Sequence, residues 1–195
     1  MTTSTSIPHT EIDREERQRV FQLLSLLLQY PDEWENYKEL CEEVANIQHP
    51  QIKQCVFSFL EYLEAASIDE CKVNYVYTFD FNSKTNLYLT YSNQGEERER
   101  GQSLVNLKQL YEAAGFAMTS EELADYLPLV LEFLAVAPMG AVLELVRLYD
   151  ASVRKIYDQL QASNSPYAAV LQACIYAFEI LQPQTDPNNP FKEAE

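Results

Sequence analysis

The chain has 195 residues, of which 47% are hydrophobic and 23% are charged, and its formal net charge is −16, from 30 acidic and 14 basic residues. This hydrophobic content excludes a wholly disordered chain, and the scarcity of Lys and Arg argues against nucleic acid as a partner, because phosphate contacts need clustered basic side chains. Only four glycines are present, which favours helices over a turn-rich β architecture.

The first half of the chain carries the signals of consecutive helices. Residues 1–10 have too little apolar content to pack, so we expect a flexible N-terminus. The first predicted helix covers residues 13–29 and ends at Tyr30-Pro31, since the residue before a proline disfavours helix. His49-Pro50 predicts the start of another helix, and Ser67 with Glu70 forms a capping box that opens the next.

The stretch 73–91 is ambiguous on local pattern. Apolar residues alternate from Val73 to Phe81 and again from Leu87 to Tyr91, which slightly favours a β-hairpin. Cys71, Tyr75 and Phe79 also fit helical spacing, so a helix is an open alternative.

The second half is more clearly helical. Apolar spacing predicts a helix from residue 96 that ends at Gly115, a residue that tolerates the positive φ of a helix C-terminus. Further helices are predicted at 126–136 and 141–160, and Ser165 is expected to cap the last one. The fold class predicted is therefore all-α, a compact bundle of about eight helices in one domain, 11–182, followed by a flexible tail at 183–195.

The apolar segment 125–138 still contains two carboxylates, Asp125 and Glu132, and the charges and prolines in this region argue against a membrane span. Seven residues apart, the two carboxylates would project from one side of a helix. The plain structural alternative is a helix-start residue and a salt-bridge partner. Pro128, Tyr126 and Phe133 lie beside them, and this mixture suits an apolar groove with charged edges that binds an amphipathic peptide.

Catalytic and metal-binding patterns are missing from the sequence. The two histidines, His9 and His49, have no partners in sequence that would suggest a catalytic group or metal shell. The four cysteines form no Cys-x-x-Cys pair, and no glycine-rich phosphate loop is present. We therefore predict that the chain is not an enzyme and has no metal or cofactor site of its own. With no signal peptide at the N-terminus, we expect a cytoplasmic location.

Four segments together carry a family resemblance: LYLTY at 87–91, EERERG at 96–101, LKQLYEAAG at 107–115 and DYLPLVLEFLAVAP at 125–138. In this order, within residues 20–181, the chain resembles the NarJ-type delta chain of respiratory nitrate reductase, a molybdenum cofactor assembly chaperone within the broader TorD-like family of redox-enzyme chaperones. The resemblance implies an all-helical fold, and therefore helices through 73–91.

The same resemblance implies the function. In that family the chaperone binds the apo catalytic (alpha) subunit of nitrate reductase through its N-terminal peptide. It supports molybdenum cofactor and Fe–S insertion before docking on the membrane subunit, with cofactor-delivery proteins as possible further partners. The alternative is a generic acidic helical scaffold or regulatory adaptor without a metalloenzyme client.

The candidate peptide-binding residues fall into three groups. Asp80, Asp125 and Glu132 would form acidic edges, and Arg98 and Arg100 would fix the loop after Tyr91 against Asp80 or Glu132. The arginine-rich run can equally be a solvated helix face with internal ion pairs. Among the remaining candidates, Tyr126 and Phe133 would offer rigid aromatic contact area, and Pro128 would free a backbone carbonyl or mark a helix start. Tyr88 and Tyr91 are candidates for contact from a tyrosine-rich stretch whose alternative is a place in the core.

Overall fold

The computed structural model describes residues 12–31, 37–91, 97–118 and 122–182. Within these ranges the chain forms eight α-helices and one π-helical turn, Val76–Asp80, and no β-strand, which confirms the all-α prediction. The helices are α1 (Arg14–Leu27), α2 (Tyr37–Ala45), α3 (Pro50–Ala65), α4 (Ile68–Tyr75), α5 (Glu97–Ala113), α6 (Leu127–Val136), α7 (Met139–Ala162) and α8 (Tyr167–Leu181). The predicted flexible ends, 1–10 and 183–195, lie outside the described residues.

Local signals in the sequence set several helix ends. The Asp13 carboxylate accepts the Glu16 N–H at 2.8 Å and so caps α1. Ser67 and Glu70 form a full capping box at the start of α4. The prediction for Ser165 was wrong: Pro166 occupies the N-cap position of α8, and the Ser165 hydroxyl is buried without a hydrogen-bond partner.

Helix α5 ends in a Schellman motif around Gly115. The Phe116 N–H donates to the Tyr111 carbonyl and the Gly115 N–H donates to the Glu112 carbonyl, both at 2.9 Å. Gly115 has φ +86°, a conformation that an L side chain adopts only with strain. The predicted end of this helix is therefore confirmed.

Helices α1 and α8 form the centre of the bundle. The apolar face of α1 packs against α6 and α8, and α8 also packs against α3 and α7. Val20, Phe21 and Leu24 are completely buried, and the Phe21 ring lies 6.2 Å from that of Phe178 on α8. Of the helices that the structure describes, none combines the length and the apolar content needed to cross a membrane.

The ambiguous stretch is helical as far as Asp80 and irregular after it. Tyr75 and Phe79 point into the core, whereas Tyr77 and Phe81 are 68% and 76% exposed. The helix implied by the family resemblance is thus right up to Asp80 and wrong for residues 81–91, which form neither a helix nor a hairpin.

Residues 87–91, hereafter the strap, pair instead with the residues just before α6. The Leu89 N–H donates to the Asp125 carbonyl at 3.0 Å, and the Leu127 N–H donates to the Leu87 carbonyl at 2.8 Å. Tyr88 and Tyr126 form an isolated antiparallel β-bridge. These hydrogen bonds satisfy strap backbone groups that would pair with a second strand in a β-hairpin.

Candidate functional site

Four tyrosines from four parts of the chain meet at one edge of the bundle. Tyr30 follows α1, Tyr75 ends α4, Tyr88 lies in the strap and Tyr126 precedes α6. The Tyr30 and Tyr75 rings make an edge contact with centroids 5.5 Å apart, and the Tyr88 and Tyr126 rings lie 5.4 Å apart. The Tyr75 and Tyr126 hydroxyl oxygens, 3.1 Å apart, join the two pairs.

Three carboxylates surround this tyrosine group. Burial is the largest cause that raises the pKa of Tyr126, and the negative charges of Glu122, Asp80 and Glu132 raise it further. Asp80 and Glu132 are exposed, and Glu122 is half-buried and accepts the Tyr88 hydroxyl at 2.9 Å. We call the four tyrosines Tyr30, Tyr75, Tyr88 and Tyr126, together with these three carboxylates, the acidic tyrosine surface.

The Tyr75, Tyr88 and Tyr126 phenols are neutral hydrogen-bonding groups at pH 7. Burial raises the pKa of Tyr75 strongly, with a smaller contribution from its Coulombic interaction with Tyr126. Burial and the hydrogen bond to Glu122 raise the pKa of Tyr88 to about 12. Phenols that stay protonated can donate hydrogen bonds and offer rigid aromatic area, but they do not act as bases.

Glu132 is held at the edge of the surface by α1. Its Oε1 accepts the Gln29 side-chain amide at 3.1 Å and lies 3.4 Å from the Ser25 hydroxyl oxygen. The same Ser25 hydroxyl donates to the Pro128 carbonyl at 2.9 Å. Pro128 lies in the first turn of α6 and is buried, so it marks the helix start and packs against α1.

Asp125 is completely buried and does not project from α6 beside Glu132. Its Oδ2 accepts the backbone N–H and the hydroxyl of Thr90, at 3.0 and 2.6 Å, and its Oδ1 has no hydrogen-bond partner. Because Asp125 precedes the helix, the two-turn spacing that placed both carboxylates on one side does not apply. Because its side chain has no exposed surface, Asp125 is not placed to contact a partner directly.

The other candidate residues divide between core and surface. Phe133 is 6% exposed and packs on the rings of Tyr111 and Phe116, with centroids 4.5 and 5.3 Å away, so it belongs to the core. Tyr91 is 51% exposed and lies beneath the Arg100 guanidinium, 5.5 Å from its ring centroid.

The two arginines were predicted to fix the loop after Tyr91. Arg100 also donates from Nε to the Thr90 hydroxyl at 3.2 Å, so its contacts are with the strap itself. Arg98 lies on α5, and its side chain falls outside the described residues.

The structure thus brings Asp80, Tyr88, Tyr126 and Glu132 together and adds three residues that were not among the candidates. The sequence pattern predicts Tyr30 only as part of a helix end and Tyr75 only as a position that fits helical spacing, and it does not assign Glu122 to the site. The sequence signal that could have found Tyr30 is a large aromatic residue directly after an apolar helix. In the structure, the Tyr30 side chain is 42% exposed.

A metal site is not formed by these carboxylates. Across the ranges that the structure describes, no group of three His, Cys, Asp or Glu side chains is arranged to hold a metal ion. The arrangement offers negative charge, phenolic hydroxyls and aromatic rings, which suit recognition of a cationic, partly apolar ligand.

Comparison with known proteins gives a family for the chain. The family model described as nitrate reductase delta subunit matches residues 48–173. These residues include α3 to α7, the strap and most of the acidic tyrosine surface.

Individual relatives agree with the family model. The chain is 43% identical to the probable nitrate reductase molybdenum cofactor assembly chaperone NarJ of Bacillus subtilis, over 84% of this chain and 90% of that protein. It is 32% identical to the nitrate reductase molybdenum cofactor assembly chaperone NarJ of Escherichia coli, over 76% of this chain and 64% of that protein. These names are those of assembly chaperones, which agrees with the prediction that the chain is not an enzyme. The chain belongs to the nitrate reductase delta subunit family.

Proposed function

We propose that this chain is a molybdenum cofactor assembly chaperone for respiratory nitrate reductase, and that its acidic tyrosine surface binds the N-terminal segment of the apo catalytic (alpha) subunit. The names of the relatives in B. subtilis and E. coli support the assembly role. The geometry of the surface supports the mode of binding.

One observation carries the binding mode: three carboxylates lie around a group of tyrosines that is partly open to solvent. Tyr30 is 42% exposed, and Asp80 and Glu132 are exposed carboxylates close enough to Tyr126 to raise its pKa. Tyrosine supplies large contact area at low entropic cost, and partners commonly anchor on such residues. The surrounding negative charge, in a chain of net charge −16, favours a segment with basic residues.

The client segment is therefore an amphipathic peptide with apolar and basic side chains. Its apolar residues pack against Tyr30, Tyr88 and Tyr126, and its basic residues pair with Asp80, Glu122 and Glu132. In the cytoplasm, this binding keeps the segment from docking on the membrane subunit while the molybdenum cofactor and Fe–S cluster are inserted. Cofactor-delivery proteins act on the same complex.

The test is calorimetric titration of the full chain with a peptide that spans the N-terminal segment of the cognate catalytic subunit. Asp80→Lys with Glu132→Lys should weaken binding at least tenfold, because repulsion replaces two attractive contacts. Binding by the unaltered chain should also weaken as salt is raised, since the carboxylates are exposed.

A control double variant separates the effect of charge at the acidic tyrosine surface from the effect of the chain's net charge. Glu61→Lys with Asp158→Lys alters two exposed acids on α3 and α7 and changes the net charge by the same amount. This control should retain most of the affinity. Equal losses in both double variants, or no binding by the unaltered chain at micromolar peptide, would overturn the proposed binding mode.

The alternative function, an acidic scaffold or adaptor without a metalloenzyme client, predicts a different outcome in cells. Affinity purification from cells that respire nitrate should recover the cofactor-free catalytic subunit if the chain is an assembly chaperone. Recovery of other proteins without that subunit would favour the adaptor.

A further inference from the structure

A continuous hydrogen-bonded relay runs from α5 through the strap to the start of α6. Arg100 Nε donates to the Thr90 hydroxyl at 3.2 Å, and that hydroxyl donates to Asp125 Oδ2 at 2.6 Å. The Thr90 backbone N–H donates to the same carboxylate oxygen at 3.0 Å. Thr90 is 3% exposed, so water does not compete freely for these bonds.

The relay holds the segment that carries two candidate contact residues. The Tyr88 ring packs at a tilt against the Tyr126 ring, its hydroxyl donates to Glu122, and Tyr91 lies beneath Arg100. Both tyrosines are in an irregular segment whose backbone bonds to α6 are limited to the neighbourhood of Asp125 and Leu127. Their positions therefore depend on what fixes the strap.

We propose that Thr90 is a positioning residue for the client-binding surface, an inference that rests on the proposed function. Thr90 joins Arg100 to the buried Asp125 carboxylate and thereby sets the positions of Tyr88 and Tyr91. Asp125 and Arg100 act on the client through Thr90 and the strap, and not by contact.

The chemistry of a hydroxyl is needed at this position. Thr90 Oγ1 accepts from a guanidinium and donates to a carboxylate at the same time, which a methyl group cannot do. Asp125 already has one oxygen without a partner. Without the Thr90 hydroxyl, Asp125 Oδ2 would keep only one of its two observed donors, the Thr90 backbone N–H. A buried carboxylate with too few hydrogen-bond donors is unfavourable enough to displace the strap.

The same loop contains a matched control. Thr85 is 1% exposed, and its hydroxyl donates to the Thr78 carbonyl, outside the relay. Thr90→Val and Thr85→Val therefore make the same chemical change at similar burial in one loop. Thr90→Ser retains the relay hydroxyl and serves as the conservative variant.

The experiment combines peptide calorimetry with amide hydrogen exchange on the full chain. Thr90→Val should weaken peptide binding about tenfold and speed exchange at the Leu89 and Leu127 amides about tenfold, since loss of bonds to a charged group loosens the strap. Thr90→Ser should restore both values. Thr85→Val should lower the unfolding midpoint without a comparable loss of affinity.

The two measurements distinguish failure of the relay from failure of the proposed function. Absence of peptide binding by the unaltered chain overturns the proposed function. Unchanged exchange at Leu89 and Leu127 in Thr90→Val overturns the relay. Faster exchange with unchanged affinity, or equal affinity losses in Thr90→Val and Thr85→Val, overturns the positioning role of Thr90.

Discussion

The hydroxyl of Tyr75 donates to the carbonyl of Leu28 at 3.0 Å and lies 3.1 Å from the hydroxyl of Tyr126. Tyr75 thereby connects the end of α1, the end of α4 and the start of α6. Because Tyr75 uses its proton on Leu28, Tyr126 is the donor in the pair. The acidic tyrosine surface is thus built on hydrogen bonds that also join helices.

Removal of the two hydroxyls should have unequal effects on stability. Tyr75→Phe leaves the buried Leu28 carbonyl without this donor and Tyr126 without its acceptor, so we expect a loss of about 1 to 3 kcal/mol. Tyr126→Phe removes one donor only and should lower the free energy of unfolding by about 1 kcal/mol or less. Urea denaturation of both variants measures the difference, and a larger loss in Tyr126→Phe would contradict the assigned donor order.

The free energy of unfolding should fall at alkaline pH. The pKa of Tyr88 and that of Tyr149 are each raised to about 12, by burial first and then by hydrogen bonding or nearby negative charge. A raised pKa in the folded state means that the folded chain binds more protons than the unfolded chain above pH ~10. This stabilisation is fully present below pH ~10 and is lost as the pH rises through about 12.

Unfolding free energies measured between pH 8 and 12 would test the alkaline prediction. Absorbance at 295 nm, which reports tyrosinate, should show that a group of tyrosines ionises together with unfolding and not before it. Simple titration of all tyrosines near pH ~10 in a chain that stays folded would contradict the burial of these phenols.

Glu16 should be far more important for stability than its neighbour Glu15. Glu16 is 4% exposed, and its carboxylate accepts the Gln48 N–H at 2.7 Å and contacts Arg19 at 3.2 Å. Glu16→Ala should therefore cost about 2 kcal/mol, because the Gln48 N–H and Arg19 lose a charged, buried acceptor. Glu15 is exposed on the same helix turn, so Glu15→Ala is the control and should change the unfolding midpoint little.

Alanine substitution at two glycines should change the free energy of unfolding in opposite directions. Gly115 has φ +86°, so Gly115→Ala should lower the free energy of unfolding by about 1 kcal/mol or more. Gly140 lies in the first turn of α7 with open space where a Cβ would stand, so Gly140→Ala should raise that free energy by about 0.5 kcal/mol. Thermal denaturation of the two variants gives both signs, and a shift in the same direction would contradict this assignment.

Local sequence signals were sufficient to predict much of the helical framework. The Asp13 cap and the Ser67 capping box depend on residues within one helical turn, and their signals appear directly in the sequence. Gly115 likewise identified a helix end that the structure confirms. These features need no tertiary contact to be recognised.

The strap could not be predicted in this way. Its alternating pattern is that of a β-strand, but Leu87 and Leu89 are buried through docking on residues close to α6, almost 40 positions further along the chain. The same long-range contact hid the position of Asp125. Helical spacing placed its carboxylate beside Glu132, whereas the hydrogen bonds with Thr90 hold it in the interior.

The acidic tyrosine surface is a second feature that required the structure. Tyr30, Tyr75 and Tyr126 come from three separate elements, and their proximity depends on how α1, α4 and α6 pack. The sequence did identify Tyr88, Tyr126 and Glu132, which occur in segments that resemble the family, and it identified Asp80 as a nearby acidic residue outside those segments.

NMR mapping can locate the bound peptide on the chain. When the N-terminal peptide of the cognate catalytic subunit is added to the labelled full chain, we expect the largest amide shift changes at Tyr30, Asp80, Tyr88, Glu122, Tyr126 and Glu132. Shift changes concentrated instead on the pocket lined by α3, α7 and α8, around Gln51 and Gln172, would contradict that position for the peptide.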